Sequence, residues 1–256
     1  GILVCKHHDG FANWPSAYTE YSVKNTPWRG GKGDVVKEFT DACRELQMKV
    51  GLYYSPAQFG SVSRKAEEYD LYFLNQISEL LTHYGKIDYL WFDGCGSENH
   101  EYDKDRIIGV IRGLQPEIRI FSMWDPDTRW VGNEDGFADM PNINAVDKAD
   151  FSVNTTEARS VGGFRYLPAE CDMKMRTTWF DCEANADTIK SVDAARICFS
   201  TSVRTATVCS RRRTRRDCWS SATRFVAAML PCPSRRSKRS RTRDGECPRS
   251  GTPRVG

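Results

Sequence analysis

Asp93 carries the clearest chemistry in the chain. It ends the run Ile87-Asp88-Tyr89-Leu90-Trp91-Phe92 and precedes Gly94. The run is short, nearly continuous in apolar residues and rich in aromatics, which predicts a buried strand of a parallel sheet. Open α/β sheets and (β/α) barrels place reactive groups at the C-terminal tips of such strands. An Asp before Gly also caps turns, and on this stretch alone the two readings weigh the same. A second cluster, His7-His8-Asp9, follows the apolar run Ile2-Leu3-Val4-Cys5. Two imidazoles beside a carboxylate suit a metal. Neighbours on a strand point to opposite faces, however, so one ion takes both only if the chain bends. His83 near a helix end and His100 in a loop supply no third nitrogen. The expectation is therefore no metal and no cofactor.

The elements that would position these groups alternate. Ile2–Lys6 reads as a strand, followed by an aromatic loop with Trp14, Tyr18, Tyr21 and Trp28 that closes on Gly30-Gly31-Lys32-Gly33. Asp34 is a good N-cap for a helix through about Gln47, with Val35, Val36, Phe39, Ala42, Cys43 and Leu46 on one face. Met48–Ser55 is the next strand, stopped by Pro56. A helix over about Arg64–Tyr84 turns Tyr69, Tyr72, Phe73, Ile77, Leu80 and Leu81 inward, and the Asp93 strand follows. Asp103–Leu114 reads as a helix, Ile118–Trp124 as a strand, Arg129–Glu134 as a loop and Phe164–Glu170 as one more strand. Alternation of this kind predicts βαβ units and a parallel sheet. His7, His8, Tyr54, Asp93 and Trp124 all fall at or just past strand ends, and the repetition carries the argument for one rim. No apolar run reaches the length that spans a bilayer.

Five motifs in fixed order resemble the α-L-fucosidases of glycoside hydrolase family 29. They are Lys6-His7-His8-Asp9-Gly10-Phe11, Trp14-Pro15-Ser16, Trp28 to Gly33 with Asp34-Val35-Val36, Gly51-Leu52-Tyr53-Tyr54-Ser55-Pro56, and Leu90-Trp91-Phe92-Asp93-Gly94. The resemblance runs from about Ile2 to Val192. Arg129-Trp130-Val131-Gly132-Asn133-Glu134 and Leu167-Pro168-Ala169-Glu170-Cys171-Asp172 look like the branch that cleaves α-1,3/1,4-fucosyl linkages. The resemblance implies a (β/α)8 barrel, partial over residues 1–192, and a retaining hydrolase with Asp93 as nucleophile. Retention needs a second carboxyl group roughly 5–5.5 Å away. Glu134 matches the branch's acid/base position, Glu170 is held in reserve at its own strand end, and Glu98 is a third candidate on the aglycone side. His7 and His8 become hydrogen-bond partners of fucose hydroxyls. Trp14 and Trp91 pack on the apolar faces of the sugar, and Tyr54 reaches the nucleophile or a hydroxyl, with Tyr53 turned into the core. The partner is a fucosylated oligosaccharide or glycoprotein. Members of the family are secreted, periplasmic or lysosomal, and this chain carries no signal that assigns a compartment.

The end of the chain reads differently. Of 256 residues with net charge +3, those from Arg196 onward hold sixteen basic and three acidic side chains, a net of +13. The rest therefore carries −10. Five of the ten cysteines lie there too. The other five (Cys5, Cys43, Cys95, Cys171, Cys182) show no metal-binding spacing and read as buried thiols. The arginine runs suggest nucleic-acid binding, but the acidic first part offers no platform for it, and no nucleic-acid partner is expected. A frameshift explains more. Ala195 to Ser210 can be encoded by bases that, read two positions later, resemble a late barrel strand of the family. Residues 193–256 are then a disordered or non-native Arg-rich tail, and the chain, beginning inside a strand, is expected to lack barrel ends and to be impaired. A catalytically inactive fucose-binding module is the rival from another class.

Overall fold

The computed structural model describes residues 1–57, 65–97, 100–136, 144–146, 165–180 and 183. They belong to two compact units, the first reaching Lys174 and the second starting at Met175. In the second, the described residues Met175–Phe180 hold neither helix nor strand. Glu98 and residues 184–256 lie outside the described residues.

The first unit is an α/β arrangement. Strands β1 (Ile2–Lys6), β2 (Gly51–Tyr54), β3 (Tyr89–Phe92) and β4 (Arg119–Phe121) form one sheet in that order, every pair parallel. Helices α1 (Val35–Glu45), α2 (Ala66–His83) and α3 (Lys104–Leu114) connect them in turn. Asp34 caps α1 by accepting from the Lys37 amide at 2.8 Å, and Asp103 caps α3 by accepting from the Arg106 amide. Leu46 lies past the end of α1 and is exposed, unlike the apolar positions before it.

Parallel register fixes which side chains share a face. Leu3, Leu52, Leu90 and Ile120 stand in one row, and Val4, Tyr53, Trp91 and Phe121 in the next. The first row joins the helices: Leu52, Tyr54, Leu90, Phe92 and Ile120 are fully buried with Phe73, Ile77 and Leu80 of α2 and Ile107 and Ile111 of α3. Truncating one such residue to Ala costs about 2–5 kcal/mol, transfer and cavity terms together. The second row faces away from this core, and three of its four residues, Val4, Tyr53 and Trp91, stay partly accessible.

Two short pairings complete the unit. β5 (Arg129–Trp130) runs parallel to β8 (Ala169–Glu170), and β6 (Ala145–Val146) runs antiparallel to β7 (Arg165–Tyr166). The expected loop at Arg129–Glu134 thus begins as a strand. The expected strand at 164–170 is split at Leu167-Pro168, because Pro168 has no N–H to donate to a ladder. Among the described residues no helix is long and apolar enough to cross a membrane.

Candidate active site

Asp93 follows β3 directly, and its amide still bonds the Tyr54 carbonyl at 3.3 Å, so its side chain emerges on the face of Trp91. Its Oδ2 accepts from the Tyr53 hydroxyl at 2.5 Å, and its Oδ1 accepts from the Cys95 amide at 3.0 Å. Nε2 of His8 stands 3.5 Å from Oδ2. Burial, and then the charge of Asp93, push the Tyr53 phenol far above its ordinary value. Tyr53 therefore stays protonated and acts on Asp93 only as a donor. A carboxylate so held keeps its lone pairs aimed and stays about a quarter exposed.

The two histidines arrive beside Asp93 because β1 ends irregularly. The register with β2 shifts between Val4 and Lys6, where Lys6 rather than Cys5 comes opposite Tyr54. Such an irregularity re-aims side chains. The Lys6 ammonium turns into the protein, donating to the Ser55 and Ala57 carbonyls at 2.5 and 3.4 Å over the Tyr54 ring. Beyond it the strand has ended, and His7 and His8 lie edge to face at 4.3 Å. Nδ1 of His8 pairs with the Ser55 hydroxyl at 2.6 Å. Burial, reinforced by His8, holds His7 below the usual imidazole range, while Asp93 and Asp9 pull the other way. His7, His8 and Asp93 each bring a ligand atom within 4.8 Å of the other two. The objection that adjacent histidines diverge applies within a strand; here the strand has stopped, and the objection fails.

A ladder of rings floors this rim. His7 stacks on Tyr53 at 5.5 Å, Tyr53 on Trp91 at 5.0 Å, and Trp91 on Phe121 at 4.1 Å, with planes 13–19° apart. Trp91 is fixed from the far side by Glu170, which accepts from the Trp91 indole at 2.9 Å and from the Tyr89 hydroxyl at 2.6 Å. Both Glu170 oxygens are engaged, so the reserve acid/base is placed as a clamp on the ring ladder.

Glu134 lies on the segment after β5. Its carbonyl accepts from the Lys174 amide at 3.0 Å, Asp135 bridges Met173, and the Lys174 ammonium stands 3.6 Å from the Glu134 carboxylate. Glu134 adopts φ +60°, a left-handed conformation that non-glycine residues seldom take and that clusters at functional sites. A further carboxylate is Asp172, to which sequence reasoning gave no role. It accepts from the Trp130 indole at 2.8 Å. Burial raises its pKa above the ordinary value, and the charges of Glu134 and Asp93 both add to that rise. Asp172 is thus within electrostatic reach of both.

Two expected contacts are not at this rim. Trp14 is buried at 1% exposure, donating its indole N–H to Glu79 at 2.9 Å, so it has no face to offer a sugar. The same buried carboxylate accepts from the Ser16 hydroxyl and the Ala17 amide, tying the aromatic loop to α2. Tyr54 is fully buried on the helix side, its hydroxyl donating to Gln76 at 2.6 Å. The expected orientations of Tyr53 and Tyr54 are therefore reversed. The register explains it: Tyr53 pairs with Trp91, whereas Tyr54 pairs with Phe92. Trp124, also expected on the rim, packs instead among Phe73, Phe92 and Tyr102. Among the thiols, Cys5 and Cys43 are buried as expected, but Cys95 is exposed just past the strand tip. A cavity of about 1000 Å³ opens among the starts of the strands, at Gly51, Asp88 and Arg119, the opposite end from Asp93.

The C-terminal tips of a parallel α/β sheet thus gather a held carboxylate, two imidazoles and stacked aromatic rings, on the rim where α/β enzymes place their chemistry. The sequence model of the Alpha-L-fucosidase family matches residues 1–174, and the chain belongs to that family of glycoside hydrolases. It is 42% identical over 188 residues to Alpha-L-fucosidase 1 of Arabidopsis thaliana, covering 70% of this chain and 37% of the relative. It is 40% identical over 187 residues to Putative alpha-L-fucosidase 1 of Oryza sativa subsp. japonica, covering 70% and 36%. Among solved structures, a putative alpha-L-fucosidase from Bacteroides thetaiotaomicron superposes with TM-score 0.68 at 36% identity, over 78% of this chain and 46% of that one. A glycoside hydrolase 29 family member from an unknown rumen bacterium gives TM-score 0.63, also at 36% identity, over 75% and 38%. The chain spans just over a third of the length of the curated relatives and less than half of these solved ones.

Proposed function

We propose that the protein is a retaining α-L-fucosidase acting on fucosylated oligosaccharides or glycoproteins, with Asp93 as nucleophile and Glu134 as acid/base. The four-stranded sheet is then part of a (β/α)8 barrel that carries the site on its C-terminal rim. The Asp93 carboxylate attacks the anomeric carbon and forms a glycosyl ester as Glu134 protonates the departing oxygen. Glu134 then takes a proton from the water that hydrolyses the ester. Nδ1 of His8 pairs with Ser55 and its Nε2 stands beside Asp93, where the ring meets a sugar hydroxyl. Trp91, fixed by Glu170 and stacked between Tyr53 and Phe121, meets the apolar side of the sugar with its accessible edge. Tyr53 takes the place first expected of Tyr54 and steadies the nucleophile. Glycan chains of the α-1,3/1,4-linked type are the preferred class, and residues 193–256 supply no part of the chemistry.

One observation carries this reading. The Asp93 carboxylate stands at a strand tip, held by the Tyr53 hydroxyl and the Cys95 amide beside His8. Incubation with a mechanism-based fucosyl inactivator, followed by peptide mapping, tests it. The expected result is one fucosyl ester on Asp93, with turnover of an aryl α-L-fucoside impaired relative to a full-length member of the family, and turnover at a normal enzyme rate would refute the impairment. A folded protein that takes up fucose but no label would instead be a binding module, and a label on another carboxylate would move the nucleophile.

A further inference from the structure

We propose that His7, His8 and Asp93 form a binding site for a divalent transition-metal ion of the zinc class, and that the bound ion blocks the site. Zinc takes imidazole nitrogens and carboxylate oxygens in a tetrahedron, at distances that set neighbouring ligand atoms about 3.3 Å apart. Nε2 of His8 and Oδ2 of Asp93 already stand 3.5 Å apart, and one ligand atom from each of His7, His8 and Asp93 lies within 4.8 Å of the other two. All three side chains are partly exposed, so small rotations about their side-chain bonds close the remaining gap. Three protein ligands leave a fourth position to water, as in open zinc sites. Two nitrogens among three donors favour zinc, cobalt or copper over calcium and magnesium, which prefer oxygen alone.

The support around the triangle is the kind a metal site needs. Metal-bound histidines bond through their other ring nitrogen, which fixes the ring. For His8 that partner is the Ser55 hydroxyl at 2.6 Å, itself held in a fully buried position beside the Ala57 amide. The irregular end of β1 brings both imidazoles to Asp93. Because the ion takes the Asp93 carboxylate, it excludes a sugar from that position; this blocking half rests on the reading of Asp93 as nucleophile.

Titration with Co2+, a coloured stand-in for Zn2+, tests the site directly on the whole chain. Expected are visible absorption bands of tetrahedral nitrogen and oxygen coordination, saturating at one equivalent and displaced by Zn2+. The bands should vanish in His7→Gln and in Asp93→Asn while circular dichroism stays unchanged. Ser55→Ala should weaken binding about 10–100-fold, the usual effect of losing the group that orients a ligand. Bands that survive both substitutions, or thiolate charge-transfer absorption alone, would overturn the proposal by placing the metal on the cysteines. No absorption at millimolar Co2+ would overturn it outright. A chain that binds cobalt in this way but hydrolyses no fucoside keeps the metal site and loses the proposed function. A chain that hydrolyses but binds no cobalt does the reverse.

Discussion

The two faces of the parallel sheet use similar residues for opposite purposes, and Tyr53 and Tyr54 mark the divide. Both are tyrosines at the tip of β2, and both donate a short hydrogen bond to a side-chain oxygen. Tyr54 gives its proton to Gln76 inside a fully buried layer that also holds Phe73 and Phe92. Tyr53 gives its proton to Asp93 on a face where rings stack but remain partly accessible. On the helix side, Tyr54 and Gln76 satisfy one another inside the packing. On the other side, the donors converge on one carboxylate whose remaining lone pairs face outward. Residue type does not separate the two roles; the face does.

Substitutions on the two faces should therefore fail in opposite ways. Asp93→Asn has the largest expected effect, because it removes the proposed nucleophile. Turnover of an aryl α-L-fucoside should fall by a factor on the order of 10⁴ or more with the melting temperature nearly unchanged. Comparable turnover in the variant would erase the distinction between a reactive face and a structural one. Glu79→Ala is the counterpart on the helix side. It strands the Trp14 indole, the Ser16 hydroxyl and the Ala17 amide, all donors to one buried carboxylate. Unsatisfied buried donors cost about 1–3 kcal/mol each, and neighbours do not simply add, so a loss of about 3 kcal/mol in a denaturant titration is expected. A variant as stable as the parent would mean that this loop is not fastened through Glu79.

The tyrosine pair gives the sharpest contrast. Tyr53→Phe deletes a hydrogen bond to a charged group, worth about 1.5–3 kcal/mol, so kcat should fall about 10–100-fold at similar stability. Tyr54→Phe leaves the Gln76 oxygen without its donor in a buried layer and should lower stability by about 1–2 kcal/mol while kcat holds. The reverse outcome, with Tyr54 controlling kcat, would restore the orientation first expected from the sequence.

That expectation shows where the sequence stops being legible. The helices, their caps at Asp34 and Asp103, and the strand ending at Asp93 depend on neighbours within a few residues, and local patterns expose them. The orientation of Tyr53 depends on register with β3, and that of His7 and His8 on an irregularity at the end of β1. Neither leaves a local trace. Trp14 looked like a sugar platform because aromatic loops often are; its actual partner lies 65 residues away on α2. Glu170 looked like a spare acid because it ends a strand, but the donors that occupy it, Tyr89 and Trp91, lie 81 and 79 residues earlier. The family motifs brought His7, His8, Trp91 and Asp93 to one rim without these distances, since motif order survives where geometry is hidden.

Asp172 allows the smallest and most specific test of the partly accessible face. Sequence reasoning gives it no catalytic role, and burial raises its pKa above the ordinary 3.8, with the charges of Glu134 and Asp93 adding to the rise. A carboxyl group whose folded-state pKa is raised binds its proton more tightly in the folded chain. Its contribution to stability is complete below the unfolded pKa and is lost as pH rises through the folded one. Asp172→Asn removes that titration and keeps an oxygen to accept from the Trp130 indole. The variant should therefore gain in melting temperature relative to the parent as pH climbs from about 4 toward neutrality, with the two closest at the acid end. A gap that stays constant with pH would mean that Asp172 titrates alike in the folded and unfolded chains. Asp172 would then be too well solvated to count as part of the site.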